Sequence, residues 1–330
     1  GIAVASGGSL IAEGTPTQPI TFTSRLAAAG DVNQYWIGLW AQQGSALRLD
    51  YCDISYGSDG NFGNGGLEID SDDAQVQNCQ IHHNQGTGLY LLGPSNGAAR
   101  PVLSNVEVTD NGGTGVHLES RYGATLAVVW DGGSISRNSW SGVTAYTSSS
   151  IVSPTLRSLT IADNGASGDA PERRGGIYWN QHNVSPTLTD LTLTGNAGAA
   201  ITWYCNGSIM AHNLNATGNG ADELTLPGCD VTGGRQWDLG AAGLSVRVTG
   251  HINVTPNALL SILAGTRLRF DKNQYDSPTR LEVQDQAALY ALGTAVRPVV
   301  FTGAAQTAGW WEGIAARQRA GLVLRHCEIG

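Results

Sequence analysis

Three features recur in one fixed phase along most of this 330-residue chain, and together they predict an all-β protein wound as a right-handed parallel β-helix. The first is an apolar triplet: Leu49-x-x-Cys52-x-Ile54, Val76-x-x-Cys79-x-Ile81, Leu103-x-x-Val106-x-Val108, Leu156-x-x-Leu159-x-Ile161, Leu188-x-x-Leu191-x-Leu193 and Leu324-x-x-Cys327-x-Ile329, with weaker copies through Ile135 and Leu214. The second is an asparagine three residues behind the triplet, at Asn84, Asn111, Asn138, Asn164, Asn196 and Asn219. The third is a short strand led by a small residue, as in Gly66-Leu67-Glu68-Ile69, Gly88-Leu89-Tyr90-Leu91, Gly115-Val116-His117-Leu118, Gly142-Val143-Thr144-Ala145, Gly176-Ile177-Tyr178-Trp179 and Ala200-Ile201-Thr202-Trp203.

Each element follows from residue chemistry. Alternation of period two turns Leu, Val and Ile inward and Thr, Ser, Asp and Tyr outward, which is the pattern of a strand. A period of about 23 to 32 residues holds two or three such strands and no helix, so equivalent strands must stack directly, about 4.8 Å apart. Asparagine at the turn accepts a left-handed backbone and can hydrogen-bond its counterpart one coil above, an asparagine ladder. A single coil buries little, so stability comes from stacking. A β-sandwich also spaces strands regularly, but would not hold asparagine and glycine in one phase through so many units.

The composition suits a folded chain: 41% hydrophobic, 14% charged and 45 glycines. A net charge of −9 and a pI near 5.1 count against nucleic acid or anionic membrane as partners, since both require a basic footprint. No apolar run approaches the roughly 18 residues that membrane insertion needs. The start, Gly1-Ile2-Ala3-Val4, has neither methionine nor a charged n-region and reads as a processed or trimmed product.

A longer duplication overlies the coils. Gly14-Thr15, Pro19-Ile20, Phe22-Thr23, Trp36-x-Gly38-Leu39 and Leu49-x-x-Cys52-x-Ile54 return as Gly293-Thr294, Pro298-Val299, Phe301-Thr302, Trp311-x-Gly313-Ile314 and Leu324-x-x-Cys327-x-Ile329. Residues 1–330 thus read as one β-helix domain in which 1–56 resembles 280–330, a segment of a longer tandem protein. Such a segment would carry unblocked strand edges and pair with other copies of itself or with adjoining repeats.

The stretch Pro256-Asn257-Ala258-Leu259-Leu260-Ser261-Ile262-Leu263-Ala264-Gly265-Thr266, followed by Leu281-Glu282-Val283 and Pro298-Val299-Val300-Phe301-Thr302, resembles the right-handed β-helix repeats of large secreted bacterial surface proteins. The asparagine-and-glycine coils from about residue 45 to 230 are similar to the same superfamily, which includes pectate lyases and mannuronan epimerases. The resemblance covers nearly the whole chain and implies an extracellular or cell-surface location. It is specific for fold and not for activity.

Cys52, Cys79 and Cys327 stand at the centre of the inward triplet and read as small core hydrophobes, the first two stacked without bonding. Cys205 and Cys229 fall in turns of neighbouring coils and are the disulfide candidates, against two unpaired rim thiols. No Cys/His spacing of a zinc site is present, and no cofactor is expected. Asp70, Asp72 and Asp73, and Asp271 with Asp276, are carboxylate clusters of the kind that holds calcium, with solvated loops as the alternative.

The glycine-led strand projects a polar row outward: Glu68 and Asp70, Tyr90, His117 and Glu119, Thr144 and Tyr146, Tyr178 and Asn180, Thr202 and Tyr204. In the superfamily's enzymes polysaccharides lie along such a face. Asp70 and Glu119, two coils and about 9 to 10 Å apart by strand spacing, approach the separation of inverting glycosidases. A lyase would instead take Tyr146 or His117 as base, with Arg121, Arg173 or Arg174 as neutraliser. Tyr90, Tyr178 and Tyr204 would pack on sugar rings. Yet no Asp-Pro-His-like triplet and no lysine near the face is recognisable. The long duplication favours a structural or adhesive surface protein over a polysaccharide lyase, epimerase or hydrolase, or a non-catalytic glycan binder. Of the tryptophans, Trp36, Trp179, Trp203 and Trp311 fit inward or end-of-strand packing; Trp40, Trp130, Trp140 and Trp310 are the candidates for exposure.

Overall fold

In the computed structural model, residues 1–25, 35–58, 65–167, 170, 174–179 and 183–330 are described. Arg173 and Asn180 lie outside the described residues.

Alternating apolar positions drive most strands to bury one face inside the coil, and equivalent strands then pair in parallel with their counterparts above and below. Thirteen strands, from Ile2–Val4 through Thr87–Leu92 and Val116–Arg121 to Cys327–Ile329, form one long parallel sheet. A second sheet is bent along its length, and Val102–Thr109 and Val129–Ser136 run unbroken through the bend. In other coils the bend divides it, as between Ala46–Asp50 and Cys52–Ser55. Short strands close the third side: Ala98–Ala99, Thr125–Leu126 and Ile151–Val152 midway, then a four-stranded sheet starting at Cys229–Val231 and ending at Trp311–Ala316. This is the right-handed parallel β-helix that the sequence predicts.

The ladder is continuous. Asn84 Nδ2 donates to Asn111 Oδ1 at 2.9 Å, and the same bond repeats from Asn111 to Asn138, Asn138 to Asn164, Asn164 to Asn196 and Asn196 to Asn219, at 2.7–2.9 Å. The second Nδ2 proton goes to a backbone carbonyl of the coil on the other side, for example Val108 for Asn138 at 3.1 Å. From Asn111 to Asn219 both amide protons are therefore bonded, which low-dielectric surroundings demand.

One expectation is corrected: the ladder asparagines are not themselves left-handed. The residue before each one is, with φ between 53° and 70° at His83, Asp110, Arg137, Asp163, Gly195 and Gly218. The chain reverses at that preceding residue, and this frees the asparagine backbone to donate its own N–H to the next Oδ1, as Asn111 N does to Asn138 at 3.2 Å. A second left-handed column, φ 48–54°, sits at the bend: Tyr51, Asn78, Asn105, Ser158, Asp190 and Asn213.

Glycine's phase has a different cause, which is space. A Cβ at Gly88 would lie 2.5 Å from Asn111 Nδ2, and one at Gly115 would lie 2.6 Å from Asn138 Nδ2. Asparagine and glycine are two halves of one packing unit.

Inside, a continuous core runs from Ala12 to Phe301. Trp179, Trp203 and Trp237 are fully buried, with Trp203 and Trp237 edge to face at 5.7 Å. Trp130 is a correction: it is 1% exposed, because its alternation phase is inward and its Nε1 reaches Gly132 O at 3.0 Å. Trp140 is exposed, while Trp36, Trp40, Trp310 and Trp311 are half-buried. Cys52 and Cys79 are buried free thiols in adjacent coils, the Cys52 N–H pointing at Cys79 Sγ at 3.4 Å.

The cross-section changes where the ladder ends. Asn219 Nδ2 turns to the nearby Asp222 carboxylate at 2.8 Å, and the last strand beyond the bend is Asn215–Thr217. From there Gly234–Ala241 leads almost directly into Ser245–Val248 of the long sheet. The two copies of the long repeat are consequently housed differently. Leu39–Ala41 belongs to the thirteen-stranded sheet, while its counterpart in Trp311–Ala316 belongs to the four-stranded one.

Replacing Asn138 by alanine orphans donors and acceptors in both adjoining coils. It is expected to cost about 3 kcal/mol, whereas Asn219→Ala at the half-exposed end costs less. Gly115→Ala, at an ordinary φ, is expected to cost about 1–3 kcal/mol through crowding alone. Urea denaturation midpoints of the three variants check the order.

Candidate functional site

Register on the long sheet aligns the outward row. Tyr90 is paired with Glu68 and His117, His117 with Thr144, Thr144 with Tyr178, and Tyr178 with Thr202. One step further along each strand, Leu92, Glu119 and Tyr146 are in register. The face therefore carries the candidate residues, but burial separates them. Glu68, Tyr90, Glu119 and Tyr178 are all below 6% exposed, Tyr146 is exposed, and Asp70, Arg174 and Tyr204 are half-buried.

Glu119 is the hub of the first cluster. It accepts hydrogen bonds from Tyr90 OH and from Arg121 Nε, and His117 Nε2 stands 3.5 Å from it. His117 is fixed in turn by Thr144 Oγ1 at 2.8 Å through Nδ1, and by stacking on Tyr90 with ring centroids 5.0 Å apart. Burial pushes the Glu119 carboxyl up, but the bonds from His117, Tyr90 and Arg121 outweigh it and hold it below the usual range. Burial, then the Glu119 contact, pushes the Tyr90 phenol well up. Glu119 thus stays ionised with both oxygens occupied, neither a proton donor nor a free base, and Arg121 is committed to it.

Asp70 contrasts with it. Burial raises its carboxyl to about 6, with Asp72 adding to the effect and the Gln43 backbone N–H opposing it. Asp70 and Glu119 do not face one another across open space. Leu91 pairs with Ile69, so Leu92 stands between the two carboxylates on the same column.

A second cluster lies further along the same sheet, and of the residues lining its groove Tyr204 alone is among the sequence candidates. A groove of about 600 Å³ is lined by Tyr204, Pro227, Arg247, Thr249, His251, Lys272 and Tyr275, among others. Its rim is a braced loop. Asn273 Oδ1 accepts the N–H groups of Tyr275 (2.9 Å) and Ser277 (3.1 Å), and Thr279 Oγ1 donates to Asp271 O at 2.6 Å. Lys272 Nζ pairs with Asp276 at 2.8 Å and sits 5.1 Å from the centre of the Trp310 ring. Arg247 bridges Glu223 (3.2 Å) and Asp271 (2.5 Å), and Trp310 Nε1 donates to Asp271 at 2.9 Å. On this rigid base Tyr275 is 78% exposed, and on the other side Tyr204 meets Tyr178 edge to face at 6.4 Å. Lys272 corrects the expectation that no lysine lies near the face. Thr202, Thr225, Arg247 and Arg269 continue the outward column in register towards it.

Within the acidic clusters Asp73 pairs with Arg48 at 2.6 Å, Asp271 with Arg247 and Asp276 with Lys272, and among the described residues no three His, Cys, Asp or Glu groups converge. Cys205 and Cys229 form a disulfide between neighbouring coils, Cα atoms 5.6 Å apart.

A parallel solenoid with an internal asparagine ladder and a polar sheet face defines the class as a β-helix protein. Residues 27–128 and 65–235 match the model of the family described as a right handed beta helix region, and the chain belongs to that family. No curated protein and no solved structure matches the chain.

Asp70 supplies a pH test. Its folded value, about 6, exceeds the unfolded value near 3.8, so burying the charge costs stability above the folded value and nothing below the unfolded one. Stability from this group falls as pH rises from about 4 to 6. Asp70→Asn is expected to be more stable than the parent at pH 7 and equal to it below pH 4, read from melting temperatures across the range.

Proposed function

We propose that this β-helix is an extracellular structural or adhesive protein that holds a polysaccharide, without cleaving it, in the groove between Tyr204 and Tyr275. The observation that carries the reading is Tyr275: a large aromatic side chain, 78% exposed, is presented on a loop tied down by its own hydrogen bonds and ion pairs. Exposed rings with a polar tip on a rigid support suit sugar rings, which need one apolar face and several hydrogen-bonding partners. Thr249, His251, Asn273 and Gln274 provide such partners in the same groove. Arg247, Lys272, Glu223, Asp271 and Asp276 largely cancel in charge, so neutral or mixed glycans fit better than strongly acidic ones.

Cleavage is disfavoured because the strongest acid–base cluster, around Glu119, is closed by its own partners. The Cys205–Cys229 disulfide suits an oxidising location outside the cytoplasm. The long internal duplication supports a rod-like structural role, since added repeats lengthen a solenoid along its axis.

Affinity electrophoresis in gels containing neutral and uronic-acid polysaccharides tests the reading. Retardation by at least one neutral or mixed glycan is expected, weakened about tenfold or more in Tyr275→Ala, the equivalent of roughly 1.4 kcal/mol. Neither unsaturated products nor new reducing ends should accumulate. Migration unaffected by the whole panel, or a Tyr275→Ala variant retarded as strongly as the parent, would overturn it.

A further inference from the structure

On the opposite side of the ladder turn from the polar row, two consecutive histidines meet nitrogen to nitrogen. His82 Nδ1 and His83 Nδ1 are 2.7 Å apart, with the rings nearly perpendicular at 86°. Each ring is held by something else. His82 Nε2 lies 3.1 Å from Asp53 Oδ2 in the preceding coil, and that carboxylate also accepts from Ser55 Oγ at 3.2 Å. His83 takes the left-handed backbone of the turn, φ 53°, and stacks on Tyr56 with centroids 5.7 Å apart. The stacked Tyr56 is its counterpart one coil earlier, also left-handed at φ 57°.

We propose that His82 and His83 are a two-nitrogen site for a divalent transition-metal ion of the zinc and nickel class, with Asp53 orienting His82 from behind. Proton placement supports it. With both imidazoles neutral and Asp53 accepting from His82 Nε2–H, the His82 Nδ1 lone pair faces His83, and His83 supplies the proton in the 2.7 Å contact. When metal binds, His83 carries its proton on Nε2 instead, and both Nδ1 lone pairs converge on the ion with no net proton released. A carboxylate behind a ligating imidazole is the usual means of fixing its tautomer and raising its basicity. Imidazole nitrogen suits zinc, nickel and copper, and suits the hard oxygen-seeking cations poorly. The remaining coordination positions face solvent, since His83 is exposed.

The site differs from the glycan groove in residues, chemistry and place in the fold, so the two proposals stand or fall separately. Isothermal titration of the intact chain with Zn²⁺ or Ni²⁺ alone, after dialysis against chelator, is the test. One equivalent is expected to bind, with no comparable heat from Mg²⁺ or Ca²⁺. His82→Ala and His83→Asn, the second chosen because asparagine tolerates the left-handed backbone, should each abolish it. Asp53→Asn should weaken it about 10- to 100-fold. Urea denaturation of the metal-free variants confirms that each is folded. Absence of binding overturns the proposal. Binding that survives in His83→Asn, or that is indifferent to Asp53→Asn, means an adventitious ion only and overturns it equally.

Discussion

The asparagine column is the constraint on which the coil depends. A parallel solenoid must turn its chain sharply at the same height in every coil, and each turn brings polar backbone into an interior that cannot hydrate it. The protein meets both demands with two adjacent residues: one takes the left-handed conformation that reverses the chain, and the asparagine after it uses its amide to fill the space. Each Asn side chain bonds its neighbours on both sides, so no single coil is satisfied alone. This makes the coils mutually dependent and fixes their vertical register. The glycines follow, because an amide column leaves no room for a Cβ where the next strand begins.

The same register explains why an outward row of polar side chains is weak evidence for catalysis. Side chains at equal phase are forced within reach of one another, so a Tyr, a His and a Glu in successive coils will find each other whether or not a substrate exists. In this chain they do: Tyr90, His117 and Arg121 converge on Glu119 and close it. Buried and saturated, that carboxylate serves the sheet. The groove near Tyr275 differs in kind, because its loop departs from the coil's period and presents a ring that no neighbouring coil covers.

Legibility in the sequence divides along the same line. The strands, their stacking, the ladder and the row of outward residues all repeat, and repetition is readable from one chain: Asn84 to Asn219 and Tyr90 with His117 stand where phase places them. What phase does not encode is distance between side chains that leave the column, or burial by whatever lies above. The closure of Glu119 was therefore hidden, as was the pairing of Asp271 with Arg247. The left-handed step was placed one residue late, because asparagine, the residue type held constant in every ladder coil, itself tolerates that conformation, while the residue before it varies between His, Asp, Arg and Gly. Lys272 was missed since it belongs to an insertion, and an insertion has no counterpart in the other coils against which to read it.

Position 219 shows why the second half of the molecule can carry a different surface on the same axis. Up to that point the amide column dictates the corner of every coil, and departures from period are confined to loops before the next strand. Beyond it Asp222 ends the column, the strand past the bend disappears, and the corner is remade by short direct connections. Those coils place Arg247 and Arg269 in the outward column, where a bridging ion pair from Arg247 to Asp271 braces the rim loop. The Cys205–Cys229 disulfide spans this transition, joining the last coils of one corner geometry to the first of the other. Covalent closure is placed where the amide column gives out.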